Sequence, residues 1–248
     1  MSDFDIRQGV TITVEKTGKE YHTYNDWGLY ITNANPIGDP VQYTNYIEIP
    51  ARNGKIDLSE ALSGRPVFTH RPIRINLMGT RDITDWDAVI SSFRNAIMGQ
   101  ICRIKFDNDP SYFWRGRVGI VDFSSAWEFG KFSLDIPEAE PYKYDIVSSA
   151  DPWLWNPFNF ETGVITQIGA IEVDGTETIT IPHGYMITTP EFVVSYFTSL
   201  TVECNGVTYG LTSGKNVIPS ILVGGDSDVA LTFTGKATVQ VVYRGGSL

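Results

Sequence analysis

Apolar and polar residues alternate with a period of two along much of the first 80 residues, a pattern that predicts β-strands. The strands predicted in this part are Val10–Val14, Trp27–Ile31, Tyr46–Pro50 and Arg71–Met78. In the last of these, Ile73, Ile75 and Leu77 share one face. Glycine, proline and asparagine separate the strands, and Arg52-Asn53-Gly54 predicts a hairpin turn because Asn-Gly tolerates positive φ.

The period changes to that of a helix after residue 85. Large apolar residues then follow one another at spacings of three and four: Trp86, Val89, Ile90, Phe93 and Ile97. The residues between them are polar: Asp87, Ser91, Ser92, Arg94 and Asn95. This stripe predicts one amphipathic helix packed on a sheet, with Asp82 or Thr84 as its cap and Gly99 as its end.

Strand patterns resume after the helix. They predict Ile101–Phe106, with Cys102, Ile104 and Phe106 on one face, then Tyr112–Phe123 and Gly130–Ile136. Two proline-rich breaks follow, at residues 137–141 and 151–157. We place a domain boundary between them, which gives a first domain of residues 1–145 and a second of residues 150–248.

The second domain differs in composition from the first, since its only lysines and arginines after residue 160 are Lys215, Lys236 and Arg244. Its predicted strands are Ala170–Val173, Thr178–Ile181, Glu191–Tyr196, Leu200–Cys204, Val207–Leu211, Asn216–Ile218, Val229–Phe233 and Thr238–Tyr243. The predicted turns are Asp174-Gly175, Asn205-Gly206, Gly224-Gly225-Asp226 and Thr234-Gly235-Lys236. Short strands at such regular spacing predict an antiparallel β-sandwich.

Composition supports an ordered protein that buries a substantial core, since 42% of the 248 residues are hydrophobic and 19% are charged. The formal net charge of −10 disfavours binding to a phosphate backbone. Four arginines lie in and around one predicted strand, and we expect them to pair with carboxylates: Arg65, Arg71, Arg74 and Arg81.

The two cysteines, Cys102 and Cys204, are expected in different domains as buried free thiols. The first residues show neither a basic run nor an apolar segment, and no stretch approaches 18 apolar residues. We therefore expect a soluble protein of a reducing cytoplasm, without a secretion signal or membrane insertion.

No residue pattern points to catalysis. His22, His70 and His183 have no metal-ligand spacing, and we expect structural roles for them. Nucleophile-elbow, phosphate-loop and dinucleotide motifs are missing from the sequence. Asp107-Asn108-Asp109 resembles the start of a calcium loop, but the proline that follows favours a tight turn. We predict no catalytic residue, metal or cofactor, although a carboxylate pair that meets only in the folded chain stays open.

Two groups of aromatic residues allow two interpretations. The cluster from Trp153 to Phe158 suits a glycan-stacking platform or an interdomain hinge, and we favour the hinge. In the second domain, Tyr185, Tyr196, Phe197 and Tyr209 suit the core or an interface better than a carbohydrate site.

Two segments carry a resemblance to a known family. Residues 49–58, IPARNGKIDL, look like the IP-x-RNG-x-xDL signature of the distal tail (Dit) proteins of long-tailed bacteriophages (siphoviruses), and residues 107–118, DNDPSYFWRGRV, are similar to a second segment of that family. With the helix between them, the resemblance covers residues 20 to 145. The matching positions, all expected to be structural, are Pro50, Arg52, Asn53, Gly54, Asp57, Leu58, Trp86, Asp109, Pro110, Tyr112, Gly116 and Arg117.

The resemblance implies a mainly β fold, with an N-terminal β-sandwich or split-barrel-like domain carrying one packed helix, followed by a galectin-like antiparallel sandwich. It implies a virion structural protein of the tail tip, assembled in the bacterial host cytoplasm. The first domain would form a homo-hexameric ring that passes genomic DNA without specific binding. The expected partners are the tail tube protein, the tail-associated tip protein, and receptor-binding or baseplate proteins. The alternative is a carbohydrate-binding module of a host-recognition device.

Overall fold

A computed structural model describes residues 8–80, 85–126, 129–150 and 169–248. The chain divides into two compact units, the first comprising Met1–Asp109 and Trp114–Pro141, the second Pro110–Phe113 and Tyr142–Leu248. Both are mainly β, with antiparallel sheets, as the sequence predicts. The assignment of ring and platform roles to residues 1–145 and 150–248 stays a prediction.

The first unit contains two antiparallel sheets that share one apolar core. In chain order its elements are β1 (Val10–Val14), β2 (Glu20–His22), α1 (Thr23–Trp27), β3 (Tyr30–Ile31), β4 (Tyr46–Glu48), β5 (Lys55–Asp57), β6 (Arg71–Thr80), α2 (Trp86–Ile97), β7 (Ile101–Phe106), β8 (Tyr112–Arg117), β9 (Gly119–Ala126) and β10 (Phe129–Ala139). One sheet has the order β2-β1-β7-β8, the last through residues 114–117, and the other has the order β3-β6-β10-β9.

Helix α2 confirms the predicted amphipathic stripe. The five apolar residues of the stripe are its buried residues, and the five polar residues predicted for the wet face are exposed. Phe93 contacts Trp27 and Phe132 edge-on, with ring centroids 4.7 and 4.9 Å apart. Gly99 has a φ of 73° just past the helix end, which a glycine adopts without steric cost. The predicted caps Asp82 and Thr84 lie outside the described residues, and Asp85 occupies the cap position.

Several predicted strands of this unit are confirmed. Strand β1 has the predicted bounds. Cys102, Ile104 and Phe106 are buried together on β7, and the apolar face of β6 is buried at Ile73, Ile75 and Leu77.

The segment Trp27–Ile31, predicted as one strand, instead begins as the end of helix α1. The His22 ring accepts a hydrogen bond from the Asn25 amide and caps the helix, while Gly28 ends it with a φ of 67°. Only Tyr30 and Ile31 form a strand. The local capping pair therefore overrides the period-two pattern.

The predicted strand Tyr112–Phe123 is two strands in different sheets. β8 pairs with β7, and β9 pairs with β10. The break lies at Val118, which exchanges backbone hydrogen bonds of 2.8 and 3.0 Å with Gly99 and Gln100 at the end of α2. Strand β10 also continues past its predicted end at Ile136, with a bulge before Ala139 that accommodates Pro137.

The second unit is an antiparallel assembly around its own core. Its elements are β11 (Lys143–Asp145), β12 (Ala170–Ile181), β13 (Gly184–Thr188), β14 (Glu191–Cys204), β15 (Val207–Leu211), β16 (Gly214–Val217), β17 (Val223–Gly225), β18 (Val229–Val242) and β19 (Gly246–Ser247). The main sheet has the order β12-β18-β14-β15, and β16 also pairs with β14. Two small pairings complete the unit, β13 with β17 and β11 with both β19 and residues 112–113.

Two predicted turns of the second unit are wrong, because the chain does not reverse there. Gly175 and Gly235 lie opposite each other inside the continuous strands β12 and β18. The predicted strands Glu191–Tyr196 and Leu200–Cys204 are likewise one strand, β14, with an irregularity between Ser195 and Ser199. A glycine that relieves crowding between strands resembles, in sequence, a glycine that makes a turn.

The remaining turn predictions of this unit have mixed outcomes. Asn205 and Gly206 have φ values of 52° and 78° and connect β14 to β15 as a hairpin, as predicted. Of the predicted turn Gly224-Gly225-Asp226, the two glycines belong to strand β17, and the chain bends at Asp226.

Both cysteines are buried free thiols in separate units, as expected. Burial raises the pKa of Cys102 to about 11. Neither helix in the described part of the chain is long and apolar enough to cross a membrane.

Candidate assembly surface

Residues 41–69 form a two-stranded excursion from the first unit, which we call the ribbon. Its base is held by backbone hydrogen bonds of 2.7 Å from Tyr43 to Val67 and 2.8 Å from Thr69 to Val41. Further out, β4 pairs with β5 in a sheet of two strands. A two-stranded hairpin is marginally stable by itself in water, so such a ribbon gains order from whatever covers it.

The ribbon is exposed along its whole length. No residue from 41 to 69 is buried, and each of residues 41–50 is exposed. Seven of the exposed side chains are large and apolar: Val41, Tyr43, Tyr46, Ile47, Ile49, Leu62 and Val67. Seven large apolar side chains exposed within one segment of 29 residues mark an interaction surface.

The first family-like segment lies at the ribbon's tip. Ala51 and Gly54 turn the chain with φ values of 66° and 80°. The Ser59 backbone N–H and hydroxyl both donate to the Asp57 carboxylate, at 2.9 and 2.5 Å, and the hydroxyl bond is the main reason that the pKa of Asp57 is lowered. Pro50, Arg52, Asn53 and Leu58 lie in the same tip or next to it, so the structure brings this half of the predicted set together.

The other half of the predicted set is dispersed and does not join the tip in one site. Trp86 is buried beside Phe123, with ring centroids 6.4 Å apart. Gly116 is buried where a Cβ atom would lie 2.4 Å from Ile136. Arg117 donates a 2.5 Å hydrogen bond to the Gly99 carbonyl just beyond α2.

The last three predicted residues lie around the turn before β8. The Asp109 amide donates to the Phe106 carbonyl at 3.1 Å, and Pro110 follows in the same turn. In the second unit, the ring of Tyr112 has the Lys143 ammonium 4.1 Å from its centroid. A structural role for these family-like positions stays a prediction.

A cluster of charged side chains in the first unit was not predicted from the sequence. Arg115 makes a bidentate contact with Glu15 through two hydrogen bonds of 2.9 Å, and Arg103 donates to the same carboxylate at 3.1 Å. Arg115 also contacts Glu140. The hydrogen bond from Arg115 is the first cause of the lowered pKa of Glu15. Glu15 and Arg115 are 100 positions apart in the chain, and no local pattern signals such a pair.

The expectation that four arginines pair with carboxylates is met only in part. Arg74 contacts Asp135 at 3.2 Å. Arg71 is buried instead, with its guanidinium carbon 4.7 Å from the centroid of the Trp114 ring. Burial lowers the pKa of Arg71. Arg81 lies outside the described residues.

In the segment Asp107-Asn108-Asp109, which resembles the start of a calcium loop, Asp107 makes hydrogen bonds to two other parts of the first unit. Asp107 accepts hydrogen bonds from the Gly9 amide at 2.8 Å and from the His22 ring at 3.1 Å. Because Nδ1 of His22 accepts from the Asn25 amide, Nε2 carries the proton that Asp107 accepts. Within the described ranges, no three His, Cys, Asp or Glu side chains meet as a metal-binding group.

A shallow groove of about 430 Å³ lies on the outer face of the β3-β6-β10-β9 sheet. Polar residues, among them Asn76, Asp122, Lys131 and Ser133, and the apolar residues Leu77, Met78 and Phe132 line it together. The Ser133 hydroxyl donates to the Asn76 side chain at 2.7 Å, so this hydroxyl is held in a structural hydrogen bond.

The four aromatic residues considered for the second domain differ in how far they are buried. Tyr209 packs against the core, as expected. Tyr185 and Tyr196 are not core residues, because they are 81% and 88% exposed. Phe197 is also exposed, at 38%. The cluster from Trp153 to Phe158 lies outside the described residues.

These features define a mainly β protein of two units, with an exposed apolar ribbon on the first. Its fold is similar to that of the SPP1 Dit protein (gp 19.1), whose crystal structure is presented as a paradigm of the hub adsorption apparatus in phages that infect Gram-positive bacteria. The TM-score is 0.59 at 12% sequence identity, over 96% of this chain and 99% of that chain. No family model matches the sequence, and no curated protein matches it. The resemblance found in the sequence is therefore confirmed at the level of the fold.

Proposed function

We propose that this chain is a structural hub of a phage tail tip, in which the first unit builds a six-membered ring. The observation that carries the proposal is the ribbon, residues 41–69, with seven exposed large apolar side chains and no buried residue. The shared fold with a hub protein of an adsorption apparatus supports it.

A second copy of the chain is the occupant that best suits the ribbon. A ring forms when one surface of a protomer meets a different surface of the next and the rotation closes. The ribbon suits such a surface, because none of its residues belongs to the core of the first unit and, among the described strands, β4 and β5 pair only with each other. Residues 33–42 lead into the ribbon, and Ile37 among them forms an isolated β-bridge with Ile73 of β6.

The charge of the chain suits the proposed passage of DNA. A formal net charge of −10 repels phosphate, so a lumen of this protein would not retain the polymer. The ring would join the tail tube protein to the tip protein and to receptor-binding or baseplate proteins in the virion. This function needs neither a catalytic centre nor a cofactor.

Native mass spectrometry and electron microscopy of the purified protein test the ring. We expect six-fold particles whose fraction increases with protein concentration. The variant Ile47→Glu places a charge in the ribbon at a side chain that is 47% exposed, and we expect it to remain monomeric. Val217→Glu is the matched control, since Val217 is 53% exposed on a strand of the second unit, and it should still form rings.

Two results would reject the proposal in different ways. A strictly monomeric wild-type protein at high concentration would contradict the ring. Six-fold particles that persist in Ile47→Glu would leave the ring intact but remove the ribbon from its interface.

A further inference from the structure

The chain contains two Asn-Gly pairs, and the structure places them in turns of different length. Asn53-Gly54 lies at the tip of the ribbon, between β4 and β5, whereas Asn205-Gly206 connects β14 to β15 in the second unit. All four residues are exposed. Within the described part of the chain, neither asparagine side chain and neither glycine amide makes a hydrogen bond. The two pairs therefore offer the same chemical groups in different backbone settings.

An asparagine that precedes glycine can react with the next backbone nitrogen, which no Cβ atom shields. The glycine nitrogen gives up its proton and bonds to Cγ of the asparagine, while the bond from Cγ to Nδ2 breaks and ammonia leaves with that proton. Water then opens the resulting succinimide ring at either of its carbonyl groups. The products are aspartate and isoaspartate, in which the main chain runs through the former side-chain carboxyl group. The net reaction adds water and releases ammonia, and it needs no oxidant or reductant.

Ring closure at Asn205 conflicts with its hairpin. Closure rotates the asparagine about its Cα–C bond, one of the two soft backbone dihedrals, until the next nitrogen reaches Cγ. The loop contains only Asn205 and Gly206, because Cys204 pairs directly with Val207. The rotation therefore displaces Val207 and breaks backbone hydrogen bonds between β14 and β15. The negative charge of Glu203 nearby also disfavours the anionic nitrogen that attacks.

The tip of the ribbon imposes no such conflict on Asn53. The last paired positions of β4 and β5 enclose a loop of six residues, 49–54. The backbone hydrogen bond described inside this loop, 3.2 Å from the Arg52 N–H to the Ile49 carbonyl, does not involve the Asn-Gly pair. Rotation at Asn53 therefore leaves every pair of β4 and β5 in place. Arg52 immediately precedes the site, and its positive charge favours the anionic nitrogen.

We propose that Asn53 is a site of spontaneous deamidation, whereas the hairpin protects Asn205. Residues 41–69 carry three acidic and three basic side chains, so the reaction converts a ribbon of balanced charge into an acidic one. Isoaspartate also lengthens the main chain at the tip. Interface cores are depleted in charge, so the modified ribbon should assemble less well. This effect on assembly rests on the proposed function, in which the ribbon contacts a second copy.

Peptide mapping of the full chain, incubated at mildly alkaline pH and low protein concentration, tests the site. Cleavage after glutamate releases residues 49–60 and 204–248, which separates the two Asn-Gly pairs. We expect Asn53 to convert at least about tenfold faster than Asn205, because the loss of backbone hydrogen bonds raises the barrier at the hairpin. In the urea-unfolded chain, the two rates should be similar. Asn53→Gln should suppress conversion at this position, since glutamine must close a larger ring.

The effect on assembly is tested with the charge of the product. We expect Asn53→Asp to form a smaller fraction of six-fold particles than the wild type at the same protein concentration. Asn205→Asp is the matched control, because Asp-Gly suits the same hairpin turn in the second unit, and it should assemble as the wild type does.

The inference is overturned if Asn53 does not convert, if it converts no faster than Asn205, or if the ratio of the two rates is the same in the folded and unfolded chain. Equal assembly of wild type and Asn53→Asp would remove the effect on the ring. A wild-type protein that stays monomeric would reject the ring, while the conversion rates of both sites would still be measured. The two proposals can therefore fail separately.

Discussion

Helix α2 and the ribbon lie in the same unit and carry similar apolar side chains, yet their surroundings are opposite. In α2, five large apolar residues are buried in the core. In the ribbon, seven such residues are exposed. The backbone of each segment is hydrogen-bonded within itself, so the difference lies in what the side chains contact.

This contrast separates two kinds of stability. Burial of the helix stripe contributes to folding of the protomer, because its apolar surface leaves water when the chain folds. The ribbon's apolar surface leaves water only when a second molecule covers it, so we expect its contribution to appear as association. Variants that affect folding and variants that affect assembly should therefore map to different segments of one unit.

The largest expected effect is a loss of folding stability caused by a substitution in helix α2. Phe93 is fully buried between Trp27 and Phe132, and Phe93→Ala should lower the free energy of unfolding of the first unit by about 3–5 kcal/mol. Hydrogen exchange of the α2 amides in increasing urea measures this unit separately from the second. Ile47→Ala in the ribbon is the control, with an expected change below about 0.5 kcal/mol. A comparable loss in the two variants would show that the ribbon is part of the folded core.

A smaller effect is expected from the two glycines of the family-like segments. Gly116→Ala would place a Cβ atom 2.4 Å from Ile136 and 3.0 Å from the Ala139 backbone, and overpacking of this kind costs about 1–3 kcal/mol. At Gly54 a Cβ atom meets nothing within 4 Å, although the φ of 80° is unfavourable for alanine. We expect Gly54→Ala to leave unfolding of the core unchanged and to reduce ring formation. Identical unfolding curves for wild type and Gly116→Ala would refute the packing argument.

Much of the fold follows from local sequence signals. The period of α2 predicts its buried face, and Asn205-Gly206 predicts a hairpin, because each signal is contained within a few residues. Predictions fail where a distant partner decides the outcome. Gly235 looks like a turn residue in sequence, but the close approach of Ser199 makes it part of a continuous strand.

The candidate assembly surface was only partly predictable. The resemblance of residues 49–58 indicates the ribbon's tip, but not that the whole segment 41–69 lacks a core of its own. Alternation of apolar and polar residues normally indicates one buried face, and the ribbon has none. The irregularity in β14 between Ser195 and Ser199 was not predicted either, since the left-handed φ of 49° at Tyr196 has no local sequence signal.

The smallest expected effect concerns charge. Glu15→Gln removes the carboxylate that Arg115 and Arg103 share, and should destabilise the first unit by about 1–2 kcal/mol at pH 7, allowing for partial exposure. Glu48→Gln is the ribbon counterpart, because Glu48 contacts Lys55 at 2.9 Å but is largely exposed. We expect no measurable change in unfolding for that variant.

The pH dependence sharpens this last comparison. The pKa of Glu15 is lowered by folding, so its stabilising contribution is complete above the ordinary value of 4.5 and is lost as the pH falls through the lower folded value. Wild type and Glu15→Gln should therefore differ at pH 7 and converge in acid below pH 4.5, as measured by urea unfolding of the first unit. A difference that persists unchanged at low pH would mean that Glu15 stabilises the unit through packing rather than through its charge.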